Sequence, residues 1–394
     1  MSIFPLRARA TGAVTVREDP EGAVTRAAVV PRPRGTGYLP YRYDIHGIVT
    51  VGSQVRLPEL EVFRAPSLGR DYDISVRIGS IGRDAAARRR TEMLLSRDPR
   101  SVCYIEQIGR LGANFVITMG SRIEILASPL LACSRHVLYT NVLEALLRFV
   151  LVSRGYMLLH SACLDMGGRG VLLSARTDTG KTGTVLRLLR EHPDVRFLSD
   201  DMTVLSPTGT AYSYAKPLTI SQHTLRSVDP GDLRRLEWQV LRVKGRVHSR
   251  EGRAVGLWLG RANIPIMAVN SLTQIVLPPP KYAADRLVPC ERTDRTQVGA
   301  IYVIERGTPS RSPIPGPQVV DQMIQNTDDA YGFPPFKDLA PVLVLGDDNY
   351  ESLRRHERRI LEAAICEVPA VKLASDTFGW ADVIARDVLG RATP

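Results

Sequence analysis

The sequence predicts an α/β protein: a P-loop core preceded by an N-terminal antiparallel β domain. Three observations predict it. Short strand-like runs succeed one another between Asp44 and Leu126 with no long helix between them. A strand, a loop carrying Gly180-Lys181-Thr182 and a helical run then follow in that order. A further strand ends in the acidic pair Asp200-Asp201. At 394 residues the chain has room for two or three domains. The expected division is an extended or disordered arm over 1–40, the β domain over 41–128, and the P-loop domain with C-terminal helices over 129–394.

Composition narrows the class. A hydrophobic share of 44% excludes a wholly disordered chain and supplies a core. The longest apolar stretch, Val142 to Leu164, is interrupted by Glu144, Arg148, Arg154 and His160, so no membrane helix is expected. The first residues, Met1-Ser2-Ile3-Phe4-Pro5-Leu6-Arg7, lack the apolar segment of a signal peptide. Cys103, Cys133, Cys163, Cys290 and Cys366 are scattered and form no C-x-x-C pair, which argues against disulfides and a structural zinc site. A cytoplasmic protein is expected. Of 52 basic residues 46 are Arg and six are Lys, and the first lysine is Lys181. Residues 1–125 hold 19 Arg against 13 acidic residues. That excess is read as a solvated face, with a nucleic-acid or anionic membrane surface as the alternative. Arg88-Arg89-Arg90 is expected on a short exposed helix.

The elements follow in order. Ile45–Val51, Asp73–Ile78 and Val102–Ile105 read as strands. Phe115–Met119 and Arg122–Leu126 read as a hairpin turning at Gly120-Ser121. An amphipathic helix is predicted over Asn141–Ser153, closed by Gly155. Tyr156–Ala162 and Gly170–Ser174 are strands joined through Gly167-Gly168, and Val195–Leu198 and Met202–Leu205 are strands around the Asp pair. Ile264–Leu277 and Ala300–Ile304 read as buried segments, Pro278–Pro280 and Pro309–Pro317 as loops, and Tyr350–Val368 and Phe378–Val388 as helices.

The chemistry concentrates at Ala175-Arg176-Thr177-Asp178-Thr179-Gly180-Lys181-Thr182, a P-loop pattern with Ala175 in place of its first glycine. A loop that leaves a buried strand can wrap backbone N–H groups around a phosphate, with the next helix aimed at it. Gly180 allows close backbone approach, Lys181 supplies a point charge, and the Thr182 hydroxyl is a ligand for Mg²⁺. Asp200 and Asp201 stand where such a site holds its metal and takes the proton of an attacking hydroxyl. His160, at the end of the strand before the loop strand, is either a satisfied core histidine or part of the site. Lys216 and the cluster Arg242, Lys244, Arg246 read as a solvated basic face, with anion binding as the alternative. Asn326–Phe336 is either a substrate-covering loop or a packed one.

Leu158-Leu159-His160-Ser161-Ala162, the turn Gly167–Gly170, the P-loop and Phe197–Leu205 together resemble the catalytic core of bacterial HPr kinase/phosphorylase. The loop is also similar to that of phosphoenolpyruvate carboxykinases, which share that fold. The resemblance covers 155–206, extends loosely to about 310 and is absent from 1–128. It implies that Lys181 and Thr182 bind phosphate and Mg²⁺, that Asp200 and Asp201 serve metal binding and proton transfer, and that His160 lies in the active site. No counterpart of the family's C-terminal signature for docking HPr is found, so HPr is not the expected substrate.

The expected activity is an Mg²⁺-dependent kinase that moves a phosphoryl group from ATP, or another donor such as pyrophosphate, to an acceptor hydroxyl. The acceptor can be a small alcohol, a lipid-linked alcohol or a protein serine, and the oligomeric state stays open. Two rivals remain: a nucleotide-binding regulator without catalysis, and a basic nucleic-acid or membrane-surface binding protein.

Overall fold

A computed structural model describes residues 15–18, 38–66, 71–81, 89–97, 100–176, 179–219, 265–278, 281–332 and 335–390. Most of the 1–40 arm, Arg88, Thr177, Asp178, the Arg242–Lys244–Arg246 cluster and Phe333-Pro334 lie outside the described residues. The fold is mixed α/β, built on two large mixed sheets.

The first sheet contains β1 (Thr15–Glu18), β2 (Tyr41–Ile45), β3 (Val49–Ser53), β4 (Ile74–Ile78), β5 (Arg89–Arg97), β6 (Arg100–Ile108), β7 (Leu111–Gly112), β8 (Phe115–Met119) and β9 (Ile123–Ala127). Its order is β1-β5-β6-β8-β9-β4-β3-β2, with β7 beside β6. The stretch read as one strand over Ile45–Val51 is a hairpin instead. His46 and Gly47 take φ of 54° and 69°, and the Gly47 N–H donates to Asp44 Oδ1 at 2.6 Å. Positive φ at both central residues matches the twist of a hairpin. The expected antiparallel domain is also corrected, because β3–β4 and β4–β9 are parallel pairs. A parallel pair needs a crossover, and the helical turn Pro58–Phe63 lies in the one between β3 and β4. Arg89 and Arg90 open β5 and pair with β6, so this is strand and not the expected helix; nine-residue cross-strand pairing overrides a local Ala- and Arg-rich preference. The β8–β9 hairpin is as expected.

Helix α1 (Arg135–Ser153) comes next, with a π-helical turn over Tyr139–Leu143. It is the one helix among the described residues long and apolar enough to cross a membrane, and 83% of its apolar window is buried inside the protein. Apolar side chains cover nearly all of its circumference because it is the central core helix.

The second sheet holds β10 (Met157–Leu159), β11 (Ala162–Met166), β12 (Arg169–Ser174), β13 (Val195–Ser199), β14 (Thr203–Leu205), β15 (Thr210–Tyr212), β16 (Arg295–Arg306), β17 (Ser310–Ile314) and β18 (Ala370–Ser375). The path is β10-β14-β15-β16-β12-β11-β13, with β18 joining β16 and β17 joining β18. The β11–β12 hairpin turns at Gly167 and Gly168, whose φ of 67° and 83° favour glycine. The predicted strand Tyr156–Ala162 breaks at His160-Ser161, so β10 pairs with β14 while β11 pairs with β12 and β13. Among the described residues, five further helices of ten or more residues pack around the sheets: α2 (Lys181–Glu191), α3 (Ile266–Val276), α4 (Gly316–Tyr331), α5 (Tyr350–Ile365) and α6 (Trp380–Leu389). Pro309–Pro317 is not the expected loop. It contains β17, an edge strand where Pro313 costs no ladder bond on its open side. Most of Asn326–Phe336 is likewise the last turns of α4. Helix α3 is buried mainly at Met267, Ala268 and Ser271, and Val276 at its end is 84% exposed, so only part of Ile264–Leu277 is core.

One apolar core runs across the 41–128 and 129–394 stretches, from Tyr43 and Phe115 through Phe149 to Leu361. Polar ties cross the same boundary. His46 Nε2 lies 2.7 Å from the Ser213 carbonyl, and Glu106 accepts from the Ala268 N–H at 2.8 Å. Buried Glu59 binds both His136 and Lys281. A chain beginning at Leu130 is therefore expected to be insoluble, and circular dichroism of whatever is recovered should lack a cooperative melt. A soluble, cooperatively melting product would show that the second sheet closes its core alone.

Candidate active site

Strand β12 delivers the loop. Ser174 and Ala175 are buried at its end, Arg176 turns outward, and α2 starts at Lys181. Gly180 has φ of 134°, and a Cβ there would meet the Trp380 ring at 2.9 Å and the Phe378 ring at 3.0 Å. Glycine is thus required twice, by conformation and by space. Phe378 itself holds φ of 62°, and the Arg306 guanidinium lies 4.3 Å from its ring centroid. The Arg306 Nε–H donates to the Thr179 carbonyl at 2.9 Å. The loop is therefore braced from the far side by residues of β16 and the β18–α6 connection. The exposed pair Arg176–Asp329 at 3.8 Å links its first turn to α4.

Strand β13 brings the acidic pair alongside. The Thr182 hydroxyl donates to Asp200 Oδ2 at 2.7 Å. Asp200 Oδ1 is buried and has no hydrogen-bond partner among the described residues. Lys181 is 9% exposed, yet among the described residues its Nζ hydrogen-bonds only the Asp201 carbonyl at 3.5 Å and ion-pairs only with Asp201 Oδ1 at 3.9 Å. A lysine at a helix start would ordinarily face solvent, but this side chain is buried. An ammonium out of water normally has close acceptors, so this one is under-satisfied among the described residues.

His160 occupies the break between β10 and β11. Its Nδ1 lies 3.0 Å from the Asn326 carbonyl, which can only accept, so Nδ1 carries a proton. Its backbone N–H donates to Thr327 Oγ1 at 3.2 Å. Nε2 consequently faces Asp201 Oδ1, at 3.2 Å. Asn326 also donates to Ser174 Oγ at 2.9 Å, tying α4 to the end of β12. The register of β10 with β14 sets this arrangement, because Leu159 pairs with Thr203 and places His160 opposite the acidic turn.

Lys216 completes the cluster and is not on a solvated face. Its side chain is 12% exposed, with Nζ 2.6 Å from Asp201 Oδ2 and 2.8 Å from Glu144 Oε1. The π-helical turn in α1 immediately precedes Glu144. Insertion of one residue into a helical turn re-aims the side chains of the next turn, and such insertions recur at functional sites. Tyr139, at the start of the π-helical turn, places its hydroxyl 2.7 Å from the Tyr214 hydroxyl, so α1 holds the 214–216 segment at two points. Glu144 was legible only as an interruption of an apolar helix; a buried carboxylate in such a run is the signal that could have found it.

The two aspartates are electrostatically distinct. Burial pushes the Asp200 carboxyl up to about 6, against the pull of Lys181 and the Thr182 hydroxyl. Crowding by protein acts upward on Asp201 too, but Lys216, His160 and Lys181 outweigh it and hold that carboxyl well below the usual range. Burial lowers Lys181. Burial also opposes the charge on Lys216, but Asp201 and Glu144 prevail and raise it well above the ordinary lysine value. Asp201 keeps 42% of its side-chain surface open, so it is the carboxylate that an incoming molecule can reach.

Ala175, Arg176, Thr179, Gly180, Lys181, Thr182, His160, Asp200 and Asp201 are thus brought to one place, around the N-terminus of α2. No group of three or more His, Cys, Asp or Glu side chains able to hold a metal occurs among the described residues. Thr182 and Asp200 do offer two hard oxygen donors, one beside a carboxylate oxygen that lacks a partner, and Mg²⁺ in phosphate sites takes few protein ligands. Two surface cavities, of about 230 and 310 Å³, lie elsewhere, under Leu111 and Ile275 and beside His356 and Arg359. No protein-family model and no curated protein matches the chain.

Proposed function

We propose that the protein is an Mg²⁺-dependent phosphotransferase of the HPr kinase-like P-loop class, moving the γ-phosphoryl group of ATP to an acceptor hydroxyl in the cytoplasm. The observation that carries this reading is a buried Lys181 whose nearest acceptor among the described residues is 3.5 Å away, close enough to buried Asp200 to pull on its charge, with one Asp200 oxygen unpartnered among the described residues, at a helix start that follows a glycine-bearing strand–loop turn. A cation and an anion short of partners among the described residues, at one helix start, fit a ligand that carries phosphate oxygens and a metal ion.

Thr182 and Asp200 would hold Mg²⁺, which when bound neutralises charge on the phosphate oxygens. Lys181 and the N–H groups of the loop and of the first turn of α2 would bind the triphosphate. Asp201, accessible and anionic, accepts the proton of the acceptor hydroxyl. The acceptor oxygen forms its bond to Pγ as the bond from Pγ to the bridging oxygen breaks, and that electron pair leaves on the β-phosphate of ADP. His160, fixed by Asn326 and Thr327, orients the Asp201 carboxylate from one side.

The test is equilibrium titration of the full chain with MgATP, then transfer of label from γ-labelled ATP into a fractionated cell extract. Binding that EDTA weakens, with label appearing in an alcohol phosphate, is the expected outcome. Absence of nucleotide binding at millimolar Mg²⁺ would refute the reading. Tight binding without transfer into any fraction would instead favour the non-catalytic regulator.

A further inference from the structure

Lys216 has no counterpart in the P-loop pattern, yet it shares a carboxylate with Lys181. Its ammonium has three protons, and two face the Asp201 and Glu144 oxygens at 2.6 and 2.8 Å. No third acceptor contacts it among the described residues. Lys181 Nζ lies 3.9 Å from the other oxygen of the same Asp201 carboxylate, and His160 Nε2 lies 3.2 Å from that oxygen. Three groups able to carry positive charge therefore converge on one accessible carboxylate, more than that anion requires. Glu144 is buried and anchored on α1, so it tethers Lys216 at the edge of the recess whatever becomes of the Asp201 contact.

Building on the phosphotransferase reading, we propose that Lys216 is a second cationic residue for the transferred phosphoryl group. With no nucleotide present its charge rests on Asp201. When a triphosphate binds, a γ-phosphate oxygen takes the Lys216 ammonium, and Asp201 Oδ2 is released toward the acceptor hydroxyl. Lys181 and Lys216 would then flank the phosphoryl group from two elements, α2 and the 214–216 segment. The tie between Tyr139 and Tyr214 keeps the second of these in place. Supply of a cation from within the same chain is a recurrent way of stabilising the charge that spreads over phosphoryl oxygens.

Triphosphate and diphosphate should therefore respond differently to loss of this lysine. Calorimetric titration with the Mg²⁺ complexes of ADP and of the non-hydrolysable β,γ-imido analogue of ATP reads the difference directly. Lys216→Met should weaken the triphosphate analogue about tenfold, the scale of one hydrogen bond to a charged group, and change ADP affinity by less than about twofold. Lys216→Met leaves Glu144 without its counter-ion, so the double variant Lys216→Met with Glu144→Gln is measured beside it. Removing both charges together leaves the net charge of the site unchanged, and the same selective loss is expected. Equal losses for the two nucleotides, or none for either, in the folded variant would overturn the assignment while leaving the phosphotransferase reading intact. Failure of the wild-type chain to bind either nucleotide would remove both.

Discussion

Asp201→Asn should leave MgATP binding within a few-fold of the wild type and lower phosphoryl transfer by about 10²–10⁴-fold, the range for loss of a general base. Asp200→Asn should behave differently. Its carboxylate holds the Thr182 hydroxyl at 2.7 Å and has one oxygen without a partner among the described residues, so the amide should abolish the Mg²⁺ dependence of nucleotide affinity as well as turnover. The contrast comes from environment. Asp200 lies in the recess with burial raising its pKa to about 6, whereas Asp201 is open on one side and ringed by Lys181, Lys216 and His160. Neighbouring carboxylates pushed in opposite directions commonly divide two roles between them. Titrations of ATP with and without Mg²⁺, set beside initial rates, distinguish the two variants. Near wild-type turnover in both would sink the assignment.

Local pattern made much of this site legible. The P-loop spacing, the strand before it and the helix after it all come from short-range rules: apolar runs, a glycine where φ must be positive, a lysine at the helix start. The acidic pair was readable because it ends a strand. What local pattern could not show was depth. Lys181 and Lys216 look like surface residues by charge alone, and only tertiary packing buries them, Lys216 against Glu144 of α1 and both beside Asp201. Glu144 and Lys216 are 72 residues apart, and nothing in either neighbourhood announces the other. Helix α4 was hidden by the prolines that flank it and by the acids Asp328 and Asp329, which look like loop residues. Asp328 is in fact drawn into ion pairs with Arg148 and Arg354, around buried Glu357. The first sheet was misread for a related reason. Strand runs are local, but whether neighbours run parallel depends on where the connection travels, and the crossover at Pro58–Phe63 carries no strong signal of its own.

Lys181→Ala is expected to produce the largest change in binding. At least one charge-assisted hydrogen bond to phosphate would be lost, so MgATP affinity should fall by about 10–100-fold and transfer should drop below detection. The fold should not suffer. Burial lowers the pKa of Lys181, so its charged form is less favourable in the folded protein than in the unfolded chain at neutral pH. Removing that charge leaves the melting temperature unchanged or raises it, which thermal denaturation measures independently of ligand. Lys181→Arg should fail as well, for a geometric reason. Lys181 is only 9% exposed, and the loop residue before it, Gly180, has no room for a Cβ against Phe378 and Trp380, so this turn has little freedom to shift for a larger head group. A planar guanidinium is bulkier and presents its N–H groups in a fixed fork, whereas an ammonium is a compact point charge. The chain otherwise uses arginine at 46 of its 52 basic positions, so a lysine here is out of keeping with its habit and in keeping with that geometry. If Lys181→Arg binds MgATP and turns over as the wild type does, the loop does not cradle phosphate in the way this recess implies.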